Sequence, residues 1–344
     1  MATATARARP RLRVRGLSGM PRYVSAKVVG AVLSLAFVLV FNFFMFRVLP
    51  GDPAKNLTRN RLVPAEQVQA LQESFGLGKP LSAQFTSYVR DTLSGDLGIS
   101  YKFRQPVSRV IADRIWPTVL LLGVSTILST VIGLLIGIRG AWRRGSLFDR
   151  GSLAVSLTLY AMPEFWLGIL LLIAFGVGVG AFPGLFPTGG LSSAGTEIWS
   201  LGGIGDVARH LFLPCLTLTL AYLAEYALVM RSSLLDEMGQ DYLVTARAKG
   251  LRDALVLRRH AVPNALLPTA TLVFLNLGFI VSGAITIETV YSWPGLGLLS
   301  YEALRTPDYP LLQGVFLLFS AGVIVANLFA DMLYSLLDPR VRTG

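Results

Sequence analysis

Between two apolar runs the chain reads DYLVTARAKG (residues 241–250), then LRDALVLRR (251–259), then HAVP (260–263). The stretch carries Arg247, Lys249, Arg252, Arg258 and Arg259 against two acids, Asp241 and Asp253. Residues 242–249 are good helix formers, Asp241 is placed to cap their start, and Gly250 sits where a helix would end. Residues 254–261 predict a second short helix, which Pro263 terminates. Two short basic helices between membrane-length apolar runs make a loop on a membrane surface. Its excess of arginine and lysine places that surface on the cytoplasmic side. Thr245, Ala246 and Ala248 are small enough for another backbone to come close, which suits docking of a second protein. An amphipathic segment resting on anionic lipid is the alternative reading of the same pattern.

Working outward from this loop (231–264), six apolar runs appear, at 28–48, 115–138, 152–181, 210–230, 265–288 and 310–337. A hydrocarbon core about 30 Å thick needs about 20 apolar residues to cross it as a helix. Of the 344 residues 53% are hydrophobic and 15% charged, against about 25% charged in a soluble domain. The sequence therefore predicts an all-α membrane protein. It divides into a basic tail (1–27), a first span (28–48), an outer segment (49–114), a core of five further spans (115–337) and a second tail (338–344). The third run is over-long and contains Pro163, which predicts a tilt or kink. In the outer segment, Val68, Leu71 and Phe75 share the spacing of one helix face.

The net charge of +11 is spread as orientation signals rather than as a nucleic-acid footprint. Arg7, Arg9, Arg11, Arg13, Arg15, Arg22 and Lys27 precede the first run, and Arg139, Arg143, Arg144 and Arg150 follow the second with only Asp149 beside them. The loops after the third and fifth runs carry Arg209 and Arg305 alone. With six spans, this alternation puts both termini in the cytoplasm. The single cysteine, Cys215, allows no disulfide within the chain, and His210 and His260 have no ligand partners at metal spacing. No Gly-x-x-x-x-Gly-Lys-Ser/Thr phosphate loop, His-Glu-x-x-His pair or Gly-x-Ser-x-Gly elbow occurs. The chain is read as non-catalytic, drawing its energy from another subunit.

The loop resembles the EAA loop of ABC importer permeases. Gly250, nine intervening residues and the ending His260-Ala261-Val262-Pro263 stand at that family's spacing, and Val244 replaces the general glutamate as in the dipeptide/oligopeptide/nickel branch. LPGDP (49–53), FGLGKPLSAQF (75–85), GDLGIS (95–100), PVSRVIADRIWPTVLL (106–121), ETVYSWPGLG (288–297), DYPLLQG (308–314) and LLDPRVR (336–342) resemble branch segments in the same order. The long outer segment is similar to that of the first of two paired permeases.

The resemblance implies a type I importer fold in the bacterial plasma membrane, with Asp241, Thr245, Ala246, Ala248, Lys249, Gly250, His260 and Pro263 forming the ATPase-coupling loop. It implies a second homologous permease, two ABC ATPase subunits that bind ATP and Mg²⁺, and an external substrate-binding protein. It implies no cofactor in this chain. Peptide is the expected substrate; nickel or another small solute, or a self-sufficient secondary transporter, are the alternatives.

Several residues have a functional and a plain reading. Glu164 lies mid-run, where an ionisable group is costly and usually faces a wet cavity or a partner helix; it is the candidate pathway residue. Glu225 and Asp331 are read as partners of a nearby arginine such as Arg231. Gly133/Gly137 and Gly176/Gly180 have the spacing of close helix crossings. Glu302, Arg305 and Asp308 are either rim contacts for a docked binding protein or solvated loop charges.

Overall fold

The computed structural model describes residues 20–48, 80–180, 182–279 and 284–337. The expected outer helix around Val68 and the LPGDP motif lie outside them. In chain order come α1 (Met20–Val48), α2 (Leu81–Leu93), α3 (Val107–Trp142), α4 (Leu147–Ala161) and α5 (Glu164–Leu171), the last extended by a π-turn (Leu172–Val177). A two-residue hairpin follows, β1 (Gly178–Val179) against β2 (Phe182–Pro183). Then come α6 (Leu201–Met238), α7 (Asp241–Ala248), α8 (Asp253–Val256), a second π-turn (Leu257–Ala261), α9 (Val262–Phe279), α10 (Ile285–Val290), α11 (Leu296–Arg305) and α12 (Tyr309–Leu337).

Among the described residues, α1, α3, α6 and α12 are long and apolar enough to cross a membrane, and α4 with α5 makes a fifth candidate bent by 103°. The bend has a local cause. Met162 precedes a proline and takes an extended conformation (ψ 130°), and Pro163 then stands outside the next helix at ψ 131°. The kink expected at Pro163 is thus a full break. The run expected at 265–288 is also divided: α9 covers its first part, and Glu288 belongs to the separate short helix α10.

The centre of the fold is the crossing of α3 and α6. A Cβ on Gly133 would stand 2.8 Å from the Leu223 carbonyl oxygen, and one on Gly137 would stand 2.7 Å from that of Ala227. Both glycines are there because the two backbones touch. The Gly176/Gly180 pair makes no helix crossing: Gly176 lies in the π-turn and Gly180 turns the hairpin with φ +62°.

The segment 288–297 sews the other elements to this pair. Tyr291 donates from its hydroxyl to the Gly168 carbonyl at 2.9 Å, and Trp293 Nε1 donates to the Pro117 carbonyl at 2.9 Å. The Glu288 carboxylate accepts from Thr118 Oγ1 at 2.9 Å and from the Leu298 amide at 3.0 Å. A buried carboxylate needs such donors.

Three charge readings change. Arg231 pairs with Asp149, not Glu225 or Asp331, and Asp331 pairs with Lys27 at 2.8 Å. Asp308 is buried and accepts from Ser100 Oγ at 2.6 Å and the Lys102 amide at 3.1 Å, so it is not a rim contact. Glu302 holds Lys102 at 2.7 Å, and the Arg305 guanidinium lies over the Tyr301 ring.

Gly137→Leu should force α3 off α6 and lower the apparent melting temperature in mild detergent, since overpacking costs about 1–3 kcal/mol or more. Gly30→Leu on α1, where nothing lies within 4 Å, is the control. Equal melting of the two variants would contradict the crossing.

Candidate functional site

Helix α6 ends at Met238, and Gly239 and Gln240 turn the chain directly into α7. Gln240, not Asp241, occupies the cap position of α7. Asp241 is its first helical residue and makes no capping hydrogen bond. Its charge still suits the positive end of the helix.

The other end of α7 closes as the sequence suggests. The Gly250 amide donates to the Arg247 carbonyl at 2.9 Å and the Leu251 amide to that of Ala246 at 3.4 Å, with Gly250 at φ +81°. This is a Schellman closure, with a left-handed glycine and an apolar residue folding back beneath the helix. Leu251 packs against the cluster that holds Leu243 and Ala246. Arg247 and Asp253 pair across the turn at 3.1 Å.

Beyond α8 the helix does not stop at Pro263 as expected. The backbone stays helical from Asp253 through the π-turn into α9. Pro263 lacks an N–H and crowds the carbonyl four residues back, and the wider π-turn opens the ladder just ahead of it. The His260 carbonyl accepts from Asn264 Nδ2 at 3.1 Å and lies 3.2 Å from the Tyr242 hydroxyl. Tyr242 also donates to the Glu237 carboxylate and accepts from Asn264 Nδ2 at 2.9 Å. Partial burial, then Glu237, pushes its phenol pKa up. One hydroxyl therefore ties the end of α6, the start of α7 and the start of α9 together.

The hairpin has two faces. Leu243, Ala246, Val256 and Ala261 are buried against Ala141 of α3, Met230 and Leu234 of α6 and Ala265 of α9. Ala246, expected on the docking surface, is instead part of this inner cluster: it lies three residues from Leu243 on the same helix face. The outer face presents Asp241, Val244, Thr245 and Ala248, with Val244 60% exposed. Lys249, Gly250 and Pro263 are also exposed, while His260 is half-buried. Tyr242, Leu243 and Asn264 are the structural residues that sequence reasoning passed over. Tyr242 stood inside the quoted motif but counted only as a helix former.

The same end of the bundle holds an ion pair whose acid is buried. Arg231 on α6 donates to both Asp149 carboxylate oxygens, at 2.6 and 3.0 Å, and the Gly145 amide adds a bond at 2.8 Å. The pair locks the start of α4 to α6. At the other end of α4, past the Pro163 break, Glu164 opens α5 and accepts from Thr286 Oγ1 of α10 at 2.7 Å. Glu164 is half-buried. The hairpin and Glu164 are thus far apart in the fold and connected through α6 and α4.

Residues 129–343 match the family model described as "Binding-protein-dependent transport system inner membrane component". Residues 20–122 match that of its N-terminal part, "Binding-prot-dependent transport system membrane comp, N-term". The chain is 36% identical to the glutathione transport system permease protein GsiC of Pectobacterium atrosepticum, over 94% of this chain and 99% of that one. It is 36% identical to the dipeptide transport system permease protein DppB of Escherichia coli K12, over 89% and 94% respectively. Among solved structures, a chain from inward-facing conformations of the MetNI methionine ABC transporter shares the fold. Its TM-score is 0.51 at 18% identity, covering 67% of this chain and 96% of that one.

Gly250→Val has open space around it but the wrong backbone, since a left-handed β-branched residue costs about 1–2 kcal/mol. It should open the Schellman closure and speed tryptic cleavage at Arg247, Lys249 and Arg252. Gly250→Asn should be near wild type. Equal cleavage of the two variants would contradict the closure.

Proposed function

The chain belongs to the family of binding-protein-dependent transport system inner membrane components, and from that premise we propose that it forms half of a peptide pathway whose motor is elsewhere. The chain has the fold of a type I ABC importer permease. A second, homologous permease supplies the other half, and two ABC ATPase subunits dock on the cytoplasmic side. An extracytoplasmic binding protein delivers the substrate. ATP and Mg²⁺ belong to the ATPases, and this chain catalyses nothing itself. Both termini face the cytoplasm, in keeping with the arginine-rich loops. Peptide is favoured as cargo because relatives named for glutathione and dipeptide transport align with 94% and 89% of the chain.

The observation that carries the reading is the two-faced hairpin. Its inner face is fixed to α3, α6 and α9 by buried side chains and by the Tyr242 hydroxyl. Its outer face presents Val244, Thr245 and Ala248, apolar or small, beside the exposed cations Arg247 and Lys249. Such a surface receives a partner without reshaping. A push on it moves α6 as one body, because only Gly239 and Gln240 separate α7 from that helix.

Alternating access follows from differential affinity. Closure of the ATPases on ATP favours one arrangement of the two hairpins, and the spans follow. Motion of α6 passes through the Arg231–Asp149 pair to α4, and so to the break at Pro163. There Glu164 is the pathway group that meets a substrate's positive end.

Val244→Arg should release the ATPases and lower ATP-driven peptide uptake in proteoliposomes at least about tenfold, the effect of about 1.4 kcal/mol of lost docking. Glu164→Gln should lower uptake while the ATPases still copurify. Uptake that proceeds without ATP or ATPase subunits would overturn the reading in favour of a self-sufficient transporter. Unchanged uptake by Glu164→Gln would remove that residue from the pathway.

A further inference from the structure

The tip between α3 and α4 is chemically unlike the docking hairpin beside it. Arg139, Arg143, Arg144 and Arg150 are all exposed there. Arg139 lies over the Phe148 ring at 5.1 Å. Among the described residues Arg143, Arg144 and Arg150 make no ion pair. The one acid of the tip, Asp149, is 3% exposed and turned inward, with its oxygens taken by Arg231 and the Gly145 amide. The outward surface is therefore strongly cationic.

Apolar side chains interrupt these cations. Leu147 is 88% exposed and Phe148 39%, separated from Arg143 and Arg144 only by Gly145 and Ser146. The tip also stands at the end of α3, a helix apolar enough to cross a membrane, with half-buried Trp142 at its last residue. A polar, acidic protein surface matches the arginines but leaves Leu147 unmatched. A bilayer boundary matches both, with acyl chains at Leu147 and Phe148 and headgroup phosphate at the guanidinium groups, whose fork fits phosphate oxygens.

We propose that the α3–α4 tip is a binding site for anionic phospholipid headgroups, held by Arg143, Arg144 and Arg150 and anchored by Leu147. The site is separate from the outer face of α7 and stands or falls independently of the docking assigned there. Its role is to fix the start of α4, and hence the Asp149–Arg231 pair, at the membrane surface.

The test is native mass spectrometry of the purified complex after exchange into phosphatidylglycerol or phosphatidylcholine. Wild type should retain phosphatidylglycerol preferentially, and the triple variant Arg143→Gln, Arg144→Gln, Arg150→Gln should lose that preference, by about fivefold for each arginine near an anionic surface. The corresponding triple lysine variant should keep most of it, and the ATPases should copurify throughout. Should the glutamine variant not fold, the same preference in wild type must fall when salt rises from 0.15 to 1 M, where the screening length shrinks from about 8 to 3 Å. Phosphatidylglycerol retention that is untouched by both neutralisation and salt would overturn the proposal. So would a variant that loses its ATPases with lipid retention unchanged, which would assign the tip to a protein partner. Inorganic phosphate displacing the lipid at low millimolar concentration would also overturn it, by assigning the site to a free anion.

Discussion

The close crossing of α3 and α6 is the constraint on which the rest depends. Two apolar helices gain little from hiding hydrophobic surface in a bilayer, because lipid tails are as apolar as leucine. What holds them is contact, and contact requires that nothing stand between the backbones. Gly133 and Gly137 meet that requirement against Leu223, Tyr226, Ala227 and Met230. The elements around the crossing then take positions relative to the pair: α4 through Asp149 to Arg231, α5 through the Gly168 carbonyl to Tyr291, whose hydroxyl also lies 3.0 Å from Thr217 Oγ1 of α6, and α10 and α11 through Trp293 and Glu288 to the Pro117–Thr118 turn of α3.

That arrangement ties the short hairpin to the centre of the fold. Its inner residues rest on Ala141, Met230 and Leu234, which are the ends of the same two helices. The hairpin adds rigid closures of its own: the Schellman turn at Gly250, the Tyr242 hydroxyl shared between Glu237, His260 and Asn264, and a π-turn that carries the helix past Pro263. A soft loop would absorb a push from a partner. This one has few internal degrees of freedom left, which in the proposed function lets it pass displacement to α6. In the proposed function, the broken span α4–α5 is where displacement is converted into a change of shape, because Met162 and Pro163 are extended there and interrupt the run of helix.

Much of this was legible in the sequence, and the failures share a cause. Apolar run length gave the membrane class, arginine placement marked the hairpin as a surface loop, and the Gly133/Gly137 spacing marked the crossing. Helices that are apolar all round carry no periodic face, so the sequence did not reveal that Gly176 lies in a π-turn rather than at a crossing. Nor did it mark Ala246 as inward-facing, because alanine suits either face and only the burial of Leu243 decides between them. Charges were misassigned where their partners are distant in the chain: Asp149 with Arg231, Lys27 with Asp331, and Asp308 with Ser100 and Lys102. The ETVYSWPGLG stretch was recognisable as a pattern, but its work as a seam between α3 and α5 depends on contacts more than 100 residues apart in the chain. Pro163 and Pro263 look alike in sequence. One breaks a helix and the other is bridged, and the difference is the π-turn ahead of the second.

The central claim is that the outer face of α7 receives the ATPase and that its inner face does not. The most direct measurement is site-specific cross-linking in native membranes, with a cysteine introduced one position at a time; Cys215 is buried and stays out of reach. Ala248→Cys should cross-link to an ATPase subunit, with a yield that changes when ATP is bound. Leu243→Cys, facing the bundle, should give none. Cross-linking from Leu243→Cys and not from Ala248→Cys, or from neither while the ATPases remain bound, would contradict the account.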